Sequence, residues 1–309
     1  MEVSITVEGQ RGLTWDRWKV FAPAVEAFGF SGLYRSDHFV DTAPPDLPSL
    51  EMWVSLTWLA DHTSRIQIGS LVTPVSFRHP VHTARMARDL SQLSEGRFVL
   101  GVGAGWGGAE REHRMFGFDL LPVRERFLRF EEGLEVISLL LTQTAPVSYT
   151  GQYYQLYEAY FVPMSESPYK TPIMVGGNGA AQILSLAVKY ADEWNAIYRT
   201  PAQFAELNTK LNQLLEENQR PGSDIKRSQM MGMVYGLNQT DLDIQLGGRN
   251  PDECWQRGML AGCASQIIDQ LGELKASGVE QVILQWPELD SLQRLEVFSK
   301  HVLRGVLSL

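Results

Sequence analysis

Residues 65–103 read RIQIGSLVTPVSFRHPVHTARMARDLSQLSEGRFVLGVG. The apolar, β-branched run Arg65–Val72 predicts a strand, and Thr73–His79 a loop. From Pro80, which suits a first helical turn, apolar residues recur at helical spacing to about Leu93. Glu95-Gly96 ends that helix, and Arg97–Gly103 is apolar and strand-like again. A strand, a helix and a second strand in so short a stretch make the repeating unit of a parallel sheet.

The same alternation extends in both directions. Towards the N-terminus, Val3–Val7 and Gly32–Ser36 read as strands. Trp15–Phe28, with Thr14 as N-cap, and Leu50–Asp61 read as helices. After the fourth strand, Ala109–Phe116 and Val123–Thr142 read as helices. Residues 143–171 then lose the helical period and carry many tyrosines, which predicts an inserted hairpin or loop. Beyond it come strands at Pro172–Val175, Glu193–Ile197, Gln229–Gly236 and Gln281–Gln285. Helices are expected at Gly179–Tyr190, Pro201–Asn218, Pro251–Met259, Ala264–Ser277 and Leu289–Leu303. Eight strand–helix pairs predict an α/β fold, a (β/α)8 TIM barrel, as one domain over residues 1–309 with the insertion at about 143–171, between strand 4 and strand 5. A doubly wound open sheet shares this pattern.

Composition narrows the function classes. The chain has 309 residues, 44% hydrophobic and 20% charged, and Lys+Arg 27 against Asp+Glu 36 gives a net charge of −9. That balance argues against a nucleic-acid partner. No apolar run approaches the ~20 residues of a membrane span, and the N-terminus lacks a signal-peptide pattern, so a cytoplasmic protein is expected. Cys254 and Cys263 form no disulfide framework, and the six histidines show no metal-ligand spacing, so no metal is expected.

A barrel places its chemistry at the C-terminal ends of its strands. The second strand ends in Ser36-Asp37-His38-Phe39, where a carboxylate beside an imidazole supplies a proton donor or acceptor near neutral pH. A hydrogen-bonded strand end is the plainer reading of the same residues. The third ends Gly69-Ser70-Leu71-Val72-Thr73-Pro74; the Ser70 hydroxyl either faces a ligand or bonds a neighbouring carbonyl. The fourth ends Gly101-Val102-Gly103-Ala104-Gly105-Trp106, whose glycines let backbone approach a flat ligand or simply allow tight packing. Trp106 is either an apolar wall of a substrate pocket or a core residue. The fifth ends Gly176-Gly177-Asn178-Gly179-Ala180-Ala181 and runs into a helix, a suitable seat for a phosphate. Arg199, beyond the sixth strand, is a further candidate partner for that anion.

Taken in order, Ser36–Phe39, Gly69–Pro74, Gly96–Trp106, Glu112–Gly117 (EHRMFG) and Pro172–Gly179 (PIMVGGNG) resemble the bacterial luciferase-like superfamily, most of all its coenzyme F420-dependent oxidoreductase branch. The resemblance implies a barrel with an insertion between the fourth and fifth strands and a deazaflavin or flavin ring across its mouth. It also implies a bulge with a non-proline cis peptide behind the ring, at Ser70–Leu71 by motif match. Carried over residue by residue, Asp37 contacts the ring, and His38 resembles the acid/base histidine of the sugar-phosphate branch. Ser70, Leu71 and Thr73 line the bulge, Gly103, Ala104 and Gly105 pass the ring edge, and Gly176, Gly177, Asn178, Gly179, Ala180 and Ala181 hold the phosphate. Trp106 stands where the sugar-phosphate dehydrogenases have a Glu, which argues against glucose 6-phosphate. Ala104 and Asp37 stand where luciferases have an Arg and a His, which argues against light emission.

The expected function is hydride transfer between F420 and a small organic substrate, with His38 and Asp37 as the catalytic pair. An FMN-dependent monooxygenase using O2 and a separate reductase is the alternative, and a non-catalytic cofactor-binding protein is the alternative of another class. A homodimer is expected from the family. Trp53 and Trp58 diverge around their helix, so one of them is available to a partner.

Overall fold

The computed structural model describes residues 1–161, 169–179 and 181–306. It opens with β1 (Glu2–Val7), α1 (Trp15–Ala27), β2 (Gly32–Arg35), α2 (Met52–His62) and β3 (Gln67–Ser70), which resumes after a break as β4 (Thr73–Pro74). Then come α3 (Pro80–Leu93), β5 (Phe98–Gly103), α4 (Glu110–Phe116), α5 (Val123–Thr142) and the hairpin β6 (Val147–Thr150) and β7 (Gln155–Ala159). The second half runs β8 (Ile173–Gly176), α6 (Gln182–Tyr190), β9 (Glu193–Ile197), α7 (Pro201–Glu217), β10 (Lys226–Met231), β11 (Met233–Tyr235), α8 (Gln239–Leu246), α9 (Pro251–Gln256), β12 (Leu260–Gly262), α10 (Ala264–Ala276), β13 (Gln281–Gln285) and α11 (Leu292–Phe298).

The principal sheet closes on itself. Its order is β3-β2-β1-β13-β10-β9-β8-β5-β4, and β3 also pairs with β5 at Ile68↔Phe98 and Gly69↔Val99. First and last strands meet in parallel register, Glu2↔Gln281 to Thr6↔Gln285. This closure excludes the open sheet and gives the eight-stranded barrel. Alternation along each strand sorts the side chains. In β1, Val3, Ile5 and Val7 pack outward under the helices, while Ser4 and Thr6 are also fully buried. The barrel interior holds an apolar layer of Tyr34, Leu71, Val99, Met174 and Ile283.

Local signals set the helix starts. Thr14 accepts from the Arg17 amide, Thr200 and Gln203 form a capping box, and Pro80 and Pro201 open α3 and α7. Trp53 is in the core, whereas Trp58 stacks on His62 and meets Trp15 edge-on at the outer side of α1 and α2.

Three expectations need correction. The third strand stops at Ser70, and the non-proline cis peptide is Leu71–Val72, one residue later than the motif match placed it. The seventh barrel strand begins at Lys226 rather than Gln229, and it breaks at Gly232. Its polar residues KRSQ hide it, because Ser228 and Gln229 are buried hydrogen-bonding residues rather than apolar ones. A side chain at Gly232 would collide with Met259 and Tyr198, so the chain passes closely there. Between the seventh and eighth barrel strands, α8 and β12 were not expected; Met233–Tyr235, expected as the end of the seventh strand, is a separate strand β11 paired in parallel with β12. The sequence of α8, QTDLDIQL, has little apolar periodicity; the Asn238 cap and Gly247 in the left-handed region delimit it. Buried Cys254 joins Leu242 and Ala261 in the small core of this excursion.

Candidate active site

Asp37 and His38 leave the end of β2 in opposite directions. Asp37, 4% exposed, accepts the Thr73 hydroxyl at 2.6 Å and a two-armed grip from Arg78, whose Nη2 lies 3.2 Å from Oδ1. Arg78 also donates to Glu51 Oε1 at 2.8 Å, which ties the strand end to the start of α2. His38 turns the other way, and its Nδ1 lies 2.7 Å from Glu112 Oε1. The second Glu112 oxygen accepts the Phe39 amide at 3.0 Å. The carboxylate that hydrogen-bonds the imidazole is therefore Glu112 of α4, not its neighbour Asp37. Burial works against the charged imidazole, but the hydrogen bond and charge of Glu112, with weaker help from Glu8 and Asp37, outweigh it and raise the His38 pKa. Imidazolium thus persists above the usual histidine range.

Beside His38 lies a small cleft, lined among others by Gln10, Asp41, Trp106, Arg111 and Glu112. Trp106 is 60% exposed, so it is no core residue; it stands at the rim of this cleft. A hydrogen-bonded arc leads away from the cleft at Gln10. Ser36 donates to Gln10, Gln10 and Gln285 donate to the two Glu8 oxygens at 2.9 Å and 2.8 Å, and Tyr198 donates to Gln285.

The break between β3 and β4 shapes the inner wall. Ser70 both donates to the Gly101 carbonyl at 2.8 Å and accepts its amide at 2.9 Å, so its hydroxyl staples the break to β5. Leu71 points into the barrel's apolar layer. Val72 fills the space that three glycines leave: added Cβ atoms would stand 2.7 Å from it at Gly103, 3.0 Å at Gly176 and 3.1 Å at Gly101. The wall is therefore backbone and one small side chain, a surface against which a flat ring can lie. The glycines serve the close approach of Val72 as much as that of any ligand. Gly105 has φ +88°, Thr73 is held by Asp37, and Ala104 packs partly against the core.

At the fifth barrel strand, Gly177 has φ +137° and Gly179 gives its carbonyl to the first turn of α6. The Asn178 amide is taken up by the Ile197 backbone, donating to its carbonyl and accepting its N–H, both at 2.8 Å, so it holds the turn in shape rather than facing outward. Ala181 is the N-cap of α6; Ala180 lies outside the described residues. Arg199 follows β9, and its buried Nε has no hydrogen-bond partner.

Sequence reasoning missed Arg78, the partner role of Glu112, and His113, which bridges Ser76 Oγ at 2.9 Å and the Ala109 carbonyl at 2.8 Å. The EHRMFG segment did signal that something in α4 mattered, but not what Glu112 touches.

One mouth of the closed eight-stranded barrel thus brings together a broken third strand, a glycine-lined wall and a histidine–glutamate pair. The sequence model of the luciferase-like monooxygenase family matches residues 3–245. The chain belongs to that family. An F420-dependent glucose-6-phosphate dehydrogenase of Kineococcus radiotolerans is 33% identical over 165 residues, covering 52% of this chain and 47% of that protein. An F420-dependent hydroxymycolic acid dehydrogenase of Mycobacterium tuberculosis is 32% identical over 183 residues, covering 59% and 49%. The chain thus spans about half the length of these relatives. An F420-dependent secondary alcohol dehydrogenase solved with an F420-acetone adduct superposes with a TM-score of 0.84 at 18% identity, covering 99% of both chains. That likeness is one of fold. Among the described residues, no helix is long and apolar enough to cross a membrane.

Proposed function

We propose that the protein is an oxidoreductase that moves a hydride between coenzyme F420 and a small organic substrate. The observation that carries this reading is the His38–Glu112 pair beside the cleft, next to a flat glycine-and-Val72 wall. The F420-dependent names of its relatives support the coenzyme. Bound at the wall, the deazaflavin supplies the hydride-accepting or hydride-donating ring carbon. The chain's own residues do the rest. Glu112 holds Nδ1 of His38, which leaves Nε2 for the substrate oxygen. In carbonyl reduction the imidazolium gives its proton to that oxygen; in alcohol oxidation the neutral imidazole takes it. The raised pKa of His38 shifts the balance towards the charged, donating form.

The cleft favours an uncharged substrate. Its lining arginine, Arg111, is held by Asp46 through two hydrogen bonds of 2.7 Å, while Asp41 and Glu112 add negative charge. A phosphoryl group would find no cation without an acid partner there among the lining residues, since Asp46 holds Arg111 and Glu112 holds His38.

The test is a binding titration of the apoprotein with F420 and with FMN, followed by turnover of secondary alcohols and ketones. F420 should bind and FMN should not, and His38→Ala should lower kcat by about 10²–10⁴-fold while leaving F420 affinity in place. Preferential binding of FMN would overturn the reading in favour of the monooxygenase.

A further inference from the structure

Among the described residues Trp106 is the one exposed tryptophan, and it stands at the rim of the cleft that His38 also lines. A large apolar ring is thus left open beside the imidazole that handles the proton. The indole does not project freely. A Cβ built on Gly108 would stand 2.3 Å, 2.4 Å and 2.7 Å from Cζ2, Cη2 and Cε2 of its six-membered ring. The Gly108 backbone therefore supports one side of the ring, and the 60% exposure belongs to what remains. Gly108 does not have positive φ, so the fold uses its missing side chain rather than its backbone freedom.

The polar groups around the cleft are committed to one another. Gln10 donates to Glu8 and accepts from Ser36. Arg111 is held by Asp46 and the Asp41 carbonyl, and Glu112 by His38 and the Phe39 amide. The Asp41 carboxylate accepts the Thr42 amide. A neutral substrate therefore finds one polar contact, Nε2 of His38, and apolar surface from Trp106 and Val40.

We propose that Trp106, seated on Gly108, is the specificity-determining contact for the substrate's carbon skeleton, and that the substrate carries an aromatic ring next to its reacting carbinol or carbonyl carbon. The proposal rests on the hydride-transfer reading above and narrows its substrate class. With the oxygen at His38, a flat ring on the reacting carbon covers the open side of the indole. A flexible chain of equal size covers less of it and loses more conformational freedom on binding.

The experiment compares two eight-carbon ketones, acetophenone and 2-octanone, as oxidants of reduced F420 with the full chain. The wild type should favour acetophenone in kcat/KM by at least about tenfold. Trp106→Ala should remove most of that preference, chiefly through the KM of acetophenone, and Trp106→Phe should keep most of it. Gly108→Ala, which forces the indole off its seat, should behave like Trp106→Ala. Thermal unfolding checks that each variant is folded, and an unmoved pH limb checks that His38 still works. Equal kcat/KM for the two ketones in the wild type overturns the assignment while leaving hydride transfer in place. So does a preference that survives in both alanine variants. Should neither ketone be reduced, saturation-transfer NMR decides. Saturation reaching the acetophenone ring protons from the wild type but not from Trp106→Ala upholds the contact, and the hydride reading alone falls. No transfer from the wild type overturns both.

Discussion

The floor and the mouth of the barrel each bury carboxylates, and they treat them in opposite ways. At the floor, Glu193 opens β9, 3% exposed, and its Oε1 has no hydrogen-bond partner. Burial pushes its pKa up, and the charges of Glu2 and Glu280 add to this, against the pull of Lys226 and Ser228; the result is about 7. At the mouth, Glu112 is buried as deeply, yet each oxygen meets a donor, His38 Nδ1 and the Phe39 amide. Asp37 is gripped by Arg78 and Thr73. Burial by itself therefore does not decide what a carboxylate does. The donors built around it do, and this barrel concentrates them at the end where its chemistry lies.

The sharpest way to break the contrast is to give the mouth an unpaired carboxylate. Arg78→Met removes the cation and keeps much of the aliphatic stem, leaving Asp37 buried and charged. Breaking a buried pair from one side costs about 3–5 kcal/mol. Urea denaturation at pH 7 should show a loss of that size, and adding Asp37→Asn to Arg78→Met should restore a substantial part of it. An Arg78→Met protein of wild-type stability would show that the grip on Asp37 does not hold the mouth together.

The floor is tested by removing its titration. The folded pKa of Glu193, about 7, lies above the unfolded value near 4.5, so the folded state keeps a proton that the unfolded state has lost between those pH values. Stability should then fall as pH rises from about 4.5 to about 7 and level off above, by roughly 3 kcal/mol from this one group. Glu193→Gln should be flatter over that window and more stable than the wild type at pH 8. Denaturation curves at pH 5 and pH 8 measure it. An unchanged slope in the variant would mean that Glu193 does not carry the dependence.

How much of this was readable beforehand follows the same physics. The barrel was legible because its outward faces are apolar with clean periods; Val3, Ile5 and Val7 mark β1 without help. The start of β10 was not, since its Ser228 and Gln229 are buried as polar residues that the sequence cannot tell from surface ones. The strand-end rule put Asp37, His38 and the glycines at the ends of strands, where the structure has them, because it depends only on where a strand stops. It failed for Arg78 and for the use of Glu112, which reach the site from a loop and from a helix about 40 and 75 positions away. Such partners are set by tertiary packing, and no local period announces them. Ser70 and Asn178 were found by position, but their polar atoms bond neighbouring backbone, a choice that the sequence left open.

The mildest change addresses the pair that joins fold to chemistry. Glu112→Gln keeps an oxygen for the Nδ1–H of His38 but sets an amide N–H₂ towards the Phe39 N–H, and it removes the charge that raises the imidazole pKa. The limb of the kcat/KM profile that reports imidazolium should then move to lower pH, with a loss of several-fold near neutrality and little change at more acid pH. Glu112→Asp, which retains the charge, should return the limb towards its original position. Nitrogen-15 shifts of the His38 ring read the same titration directly. If Glu112 merely braced α4 against the strand end, the glutamine variant would lose activity at every pH and the limb would stay where it was.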